Sequence, residues 1–171
     1  TINGTLVEGV TVSGVSADID YTGGNAGSHN GQTVNSTGVT GLTATLNAGS
    51  FVNGVGTLNY TITGTPNSNG IASFAIQIGG QSCTLQVPVE AGTISTLDCA
   101  GATVNGTLVE GAAASGVSAD ISYTGGNGGP HNGQTVNSTG VTGLTATLNA
   151  GNFANGAGSL SYSISGTPNS S

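Results

Sequence analysis

Lysine and arginine are absent from all 171 residues, and the only charged side chains are seven acids: Glu8, Asp18, Asp20, Glu90, Asp98, Glu110 and Asp120. Average usage would place about 40 charged residues in a chain this long, so the deficit is not sampling noise. Without a cation the side chains cannot neutralise phosphates and release counterions, which excludes nucleic acid as a partner. A net charge of −7 is repelled by an anionic membrane surface, not recruited to it. Salt bridges cannot form either, so packing and hydrogen bonds must hold the fold. Methionine and tryptophan are missing, and three Phe and four Tyr leave a thin, aliphatic core. No apolar run approaches the roughly 18 residues of a spanning helix, so membrane insertion is not expected. A chain without Lys or Arg gives trypsin-like proteases nothing to cut, which suits an extracellular setting. No signal peptide is present, and because Thr1 begins inside a repeat, the chain reads as a piece of a longer precursor.

Against these absences stands an abundance of glycine, 32 residues, with many Thr, Ser and Asn. Disorder is not the expectation, because disordered chains combine low hydrophobicity with high charge. Here Val, Ile, Leu and Thr alternate along much of the chain. The whole is also duplicated. Residues 1–69 recur as 103–171, a period of 102 residues, and about 15 of the 69 aligned pairs differ. Such close copies mark a tandem array of small domains.

Val15, Ala17, Ile19 and Tyr21 alternate with Ser16, Asp18 and Asp20, the pattern of a strand buried on one face. Leu42, Ala44 and Leu46 repeat it, as do Leu58, Tyr60 and Ile62. The second copy checks the assignment. Thr57, Asn59, Thr61 and Thr63 become Ser159, Ser161, Ser163 and Ser165, while Leu160, Tyr162 and Ile164 are unchanged. Drift at alternate positions is expected when one face meets water and the other a core. Two more strands occur once, through Phe74, Ile76 and Ile78 and through Cys83, Leu85, Val87 and Val89. Turn formers such as Gly23-Gly24-Asn25, Asn53-Gly54 and Gly79-Gly80 separate the strands, and no segment carries a helical apolar period. The expected fold is all-β: tandem antiparallel β-sandwich repeats, with residues 1–92 as the first and 93–171 as the second. The second stops at Ser171, before any equivalent of Phe74 to Val89, so it lacks its last two strands. Either a longer chain completes it or a neighbouring molecule donates the strand, and the latter would make a head-to-tail polymer.

Cys83 and Cys99 are equidistant from Ala91. If Glu90-Ala91-Gly92 is a hairpin loop, the two cysteines fall opposite each other, and Leu85 falls opposite Leu97. A disulfide there would contribute about 3 kcal/mol in the chain-entropy model and place the protein in an oxidising compartment. The rival pairing joins Cys99 to a cysteine of a following repeat. Two thiols alone do not make a zinc site.

Thr33 to Gly49 (TVNSTGVTGLTATLNAG) and especially Thr63 to Gly80 (TGTPNSNGIASFAIQIGG) resemble bacterial immunoglobulin-like repeats. In those a Gly-Thr-Pro turn links two strands and is followed by a glycine and an F-x-I strand. With YTGGN, GQTV and GGQSCTL, the longer pattern is similar to repeats in very large secreted surface proteins of Bacteroidota, some of gliding-motility and adhesin type. The resemblance implies an Ig-like sandwich in an extracellular, cell-attached or filament-forming protein exported by a dedicated secretion system. The matching residues are structural, so it carries over no catalytic or ligand residue. The absence of every basic residue sets this chain apart from ordinary adhesin repeats.

Few positions suggest chemistry. His29 and His131 lie in equivalent loops beside Asn-Gly and read as solvated loop residues; Ser28 precedes one but Pro130 the other. No Ser–His nucleophile is therefore shared. Asp18, Asp20 and Asp120 are weak calcium candidates, since calcium wants six to eight oxygens and no acid-rich loop exists. No cofactor is expected. Outward Thr pairs, Thr43/Thr45 and Thr61/Thr63, suit a glycan or ice surface but equally a wet β-face. The expectation is a non-catalytic structural or adhesive repeat of an extracellular bacterial surface fibre, with copies of itself as partners. The alternative is a ligand-binding adhesin module for glycan, calcium or ice.

Overall fold

The computed structural model describes residues 1–169, and these form strands, turns and bends with no helix. They divide into two compact units, Thr1–Ala91 and Gly92 onward. In the first unit the strands are β1 (Ile2–Asn3), β2 (Leu6–Val7), β3 (Val15–Asn25), β4 (Ser28–His29), β5 (Gln32–Asn35), β6 (Thr37–Gly38), β7 (Leu42–Leu46), β8 (Gly49–Ser50), β9 (Asn53–Gly64), β10 (Gly70–Ile78) and β11 (Gln81–Glu90). One sheet has the order β1-β3-β9-β7-β5 and the other β2-β11-β10-β6, with β4 and β8 forming a small ribbon.

The alternation read from the sequence decides what lies between these sheets. Val15, Ala17, Leu42, Ala44, Leu58, Tyr60 and Ile62 of the first pack with Leu6, Ala72, Phe74, Ile76, Val87 and Val89 of the second in one cluster. Tyr60 and Phe74 are fully buried. A single oxygen also ties the layers: Gln32 Oε1 on β5 accepts the Tyr60 hydroxyl at 3.1 Å and the Gln77 N–H of β10 at 3.2 Å. Gly79 and Gly80 (φ 60° and 77°) turn β10 into β11 as a two-residue hairpin, a conformation only glycine adopts freely at both positions.

The expected hairpin between β11 and the strand after it does not form. β11 pairs with β10, placing Cys83 opposite Ile76, and β2 pairs in parallel with Val89 and Glu90. Those two residues are where the hairpin would have had to begin, and the Glu8 N–H holds the Glu90 carbonyl at 2.9 Å. The Cys83–Cys99 disulfide is accordingly not made: both cysteines are free and exposed.

In the second unit the strands are β12 (Thr96–Asn105), β13 (Val117–Asn127), β14 (Pro130–His131), β15 (Gln134–Asn137), β16 (Leu144–Leu148), β17 (Gly151–Asn152) and β18 (Asn155–Gly166). They make one sheet, β12-β13-β18-β16-β15, and the ribbon β14-β17. Among the described residues no second sheet covers the first. The core shrinks to Tyr123, Leu160 and Tyr162, with Ile94, Ile121, Ala146, Leu148 and Phe153 against it. Leu108 and Val109 are 40% and 62% exposed, whereas their counterparts Leu6 and Val7 are 2% and 9% exposed.

Candidate binding surfaces

Strand register places the acids first. Asp18 stands opposite Asn59, and Asp20 opposite Thr57, on the outward face of β3. Asn59 Nδ2 donates to Asp18 Oδ1 at 2.6 Å, and Asn3 Nδ2 donates to Oδ2 at 2.9 Å. These two amides, Asn59 before Asn3, hold the Asp18 carboxyl below the usual carboxylate range. Asp20 accepts the Thr57 hydroxyl at 2.7 Å, and Asp120 accepts Asn105 Nδ2 at 2.9 Å. The carboxylates thus take their partners from amides and hydroxyls of neighbouring strands, the place cations hold in other proteins. Asp18 and Asp20 share a face but bond to different partners, and Asp120 belongs to the other unit. Among the described residues, no three of His, Cys, Asp and Glu come together as a metal site.

The outward face of the first sheet carries a continuous polar row. Thr33 is opposite Thr45, Thr45 opposite Thr61, Thr61 opposite Ser16, and Ser16 opposite Asn3. One hydroxyl or amide follows the next at the strand spacing of about 4.8 Å. A second row runs from Asn35 through Thr43 to Thr63, with Thr43 Oγ1 donating to Asn35 Oδ1 at 3.1 Å. The second unit repeats the long row as Thr135, Thr147, Ser163, Ser118 and Asn105. The one exchange in the row, Thr61 to Ser163, keeps its hydroxyl at an exposed position.

The histidines are part of aromatic caps. His29 tilts against Phe51 at 5.0 Å, and Phe51 meets Tyr21 edge-on at 5.2 Å; His131, Phe153 and Tyr123 repeat the group at 4.8 and 5.5 Å. His29 Nδ1 accepts the Gly31 N–H and His131 Nδ1 the Gly133 N–H, each at 3.3 Å, so each ring also pins its own turn. Tyr21 and Tyr123 complete the caps by accepting the N–H groups of Val52 at 2.7 Å and Ala154 at 2.6 Å.

Sequence reasoning missed an open groove of about 830 Å³ within the first unit, where the sheets part beside the cap. Ile19, Tyr21, Leu58, Ile76, Ile78 and Cys83 contribute to its lining. Cys83 faces into the sandwich, as its partner Ile76 does, and is exposed because the groove is open. The only trace in the sequence was the inward parity of Cys83 with Leu85 and Val87. No family model matches the chain, and no curated protein or solved structure does.

Proposed function

We propose that the chain is a non-catalytic structural and adhesive repeat of an extracellular fibre or filament on a bacterial cell surface. Its modules are Ig-like sandwiches repeated every 102 residues, and its partners are copies of itself. The observation that carries this reading is the recurrence of one five-stranded sheet, β1-β3-β9-β7-β5 and β12-β13-β18-β16-β15, from two stretches of nearly the same sequence. Repeats of that kind associate by strand pairing, within one chain or between neighbours by strand donation. The outward face supports it too, since its rows of Thr, Ser and Asn bring together no nucleophile, base and orienting acid. An outer surface free of Lys and Arg fits exposure to proteases outside a cell. Repetition then supplies reach and avidity. Negative-stain imaging and size-exclusion of concentrated protein test the proposal: fibres or higher oligomers are expected, and isolated monomers throughout would overturn assembly.

The hydroxyl row favours a second reading, a module recognising glycan, ice or, at Asp18 and Asp20, calcium. It requires saturable binding by one isolated repeat that is lost on changing Thr45 and Thr61 to Val. Binding unaffected by those changes would remove it.

A further inference from the structure

Both histidines of the chain stand directly before an Asn-Gly step, as His29-Asn30-Gly31 and His131-Asn132-Gly133. The fold gives each the same hydrogen bond. The Gly31 N–H donates to His29 Nδ1 at 3.3 Å, and the Gly133 N–H donates to His131 Nδ1 at 3.3 Å. An imidazole nitrogen that accepts is unprotonated, so each ring aims a base at the amide nitrogen that follows the asparagine. Each ring is half-buried and held against Phe51 or Phe153, with Nε2 beside Gly49 or Gly151. Asn30 and Asn132 are exposed, and no hydrogen bond holds their side chains among the described residues.

Six further Asn-Gly steps, at Asn3, Asn53, Asn69, Asn105, Asn127 and Asn155, have no imidazole before them, since the chain has no third histidine. Two of these also have their amides tied, because Asn3 and Asn105 donate Nδ2 to Asp18 and Asp120 at 2.9 Å. At the histidine sites glycine is required by the fold. Gly31 and Gly133 both have φ 72°, and a Cβ there would collide with the carbonyl of Leu46 or Leu148. The same missing Cβ leaves the glycine nitrogen open to the side chain before it. Around the His29 ring Gly31, Gly49 and Phe51 carry no charge, and Tyr21 beyond Phe51 brings a titratable hydroxyl. Gly133, Gly151, Phe153 and Tyr123 surround His131 in the same way. No carboxylate bonds to either ring among the described residues.

We propose that His29-Asn30-Gly31 and His131-Asn132-Gly133 are self-modification sites, where the imidazole is the general base that converts its neighbouring asparagine to aspartate and isoaspartate. Nδ1 takes the Gly31 amide proton while that nitrogen attacks Cγ of Asn30. The new N–Cγ bond closes a ring that carries an oxyanion on the former side-chain carbonyl. Its collapse breaks the Cγ–Nδ2 bond, and the imidazolium returns the proton so that Nδ2 departs as ammonia. Water then opens the cyclic imide at either carbonyl. The balance is water consumed and ammonia released, and it needs no oxidant or second protein. The reaction is a single turnover on the chain itself and is independent of the assembly proposed above. Isoaspartate lengthens the backbone by a carbon where Gly31 has no room against Leu46, so conversion loosens the turn in which it occurs. Every event also adds a negative charge to a chain with no Lys or Arg to offset it. Each unit thus carries a slow clock.

The test incubates the full chain at neutral pH and follows every Asn-Gly step by peptide mass spectrometry after chymotryptic digestion. Asn30 and Asn132 are expected to convert faster than the other six by about tenfold or more, short of the roughly 100- to 10,000-fold that positioned enzymic bases supply. Their rates level off above a pH of about 7, where histidine is already neutral, while the others keep climbing with hydroxide. His29→Phe keeps a ring against Phe51 and removes the base. Conversion at Asn30 then falls to the level of the other six, while Asn132 in the same molecule keeps its rate. A faster conversion at Asn30 in that variant shows a ring that shields the step, and overturns the proposal. Equal rates at all the Asn-Gly steps of the unaltered chain overturn it too. If His29→Phe loosens the first unit, the pH profile of the unaltered chain decides: histidine sites that climb with hydroxide like the rest have no base at work.

Discussion

Leu6 and Leu108 occupy the same place in two nearly identical stretches of chain, yet one is 2% exposed and the other 40%. Ile62 and Ile164, and Leu42 and Leu144, divide the same way, buried in the first unit and half-buried in the second. Local pattern cannot be the cause, because it is shared. The residues that separate them are those from Gly70 to Glu90, which form β10 and β11 and roof the first sheet. β2 and β6 follow as dependants: each pairs only with that hairpin, and in the second unit neither sequence forms a strand. Five-stranded sheets of this sequence form by their own pairing, but a core requires the roof.

Supplying the second unit with a roof should break the contrast most completely. A chain extended after Ser171 by a second copy of residues 70–91 is expected to bury Leu108, Val109, Leu144 and Ile164. Each newly buried Leu, Ile or Val is worth about 1.5–3 kcal/mol, and a steeper denaturant transition for the second unit would register the gain. An unchanged transition would show that the bare face is not an unfinished core. Truncation sharpens the contrast from the other side. Leu6→Ala is expected to cost about 2–5 kcal/mol, whereas Leu108→Ala falls within about 0.5 kcal/mol, as for surface substitutions. Equal losses in chemical denaturation would contradict the burial difference.

Titration should separate the units more gently. Asp18 has its folded-state pKa depressed by Asn59 and Asn3, so its contribution is present above the pKa of a free carboxylate and is lost as pH falls through the lower folded value. A drop in thermal stability in acid, blunted by Asp18→Asn, is the expected signature. Tyr60 behaves oppositely. Burial first, then the charge of Cys83, raises its phenol, so stability holds below the ordinary tyrosine value of 10.0 and declines as pH rises past it. Tyr60→Phe should flatten that alkaline decline. A decline unaffected by the change would place its origin elsewhere.

Strands with strict alternation were legible in the sequence. Val15 to Tyr21, Leu42 to Leu46 and Leu58 to Ile62 need only a wet side and a dry side, and the Thr to Ser exchanges marked which was which. β12 was legible only as the second arm of a hairpin with β11, through Leu97 and Cys99, whereas it lies on the edge of β13. The Cys83–Cys99 hairpin failed for a related reason. Symmetric spacing about Ala91 says nothing of β2, which reaches Val89 and Glu90 from far upstream in parallel. The acids were correctly placed on an outward face, but their partners depend on register between strands 15 to 41 positions apart, beyond any local window. The groove was invisible because residues of two sheets line it, Ile19 and Leu58 from one and Ile76 and Cys83 from the other.

The amide clasp on Asp18 has a consequence for the medium in which such a protein works. Asparagine carries no net charge, so dissolved ions have no attractive pair to shield in the bonds that Asn59 and Asn3 make. What shielding remains acts on the mild mutual repulsion of seven scattered acids. Bonds of this kind keep their strength in brine as well as in fresh water, where ion pairs would loosen as salinity climbs.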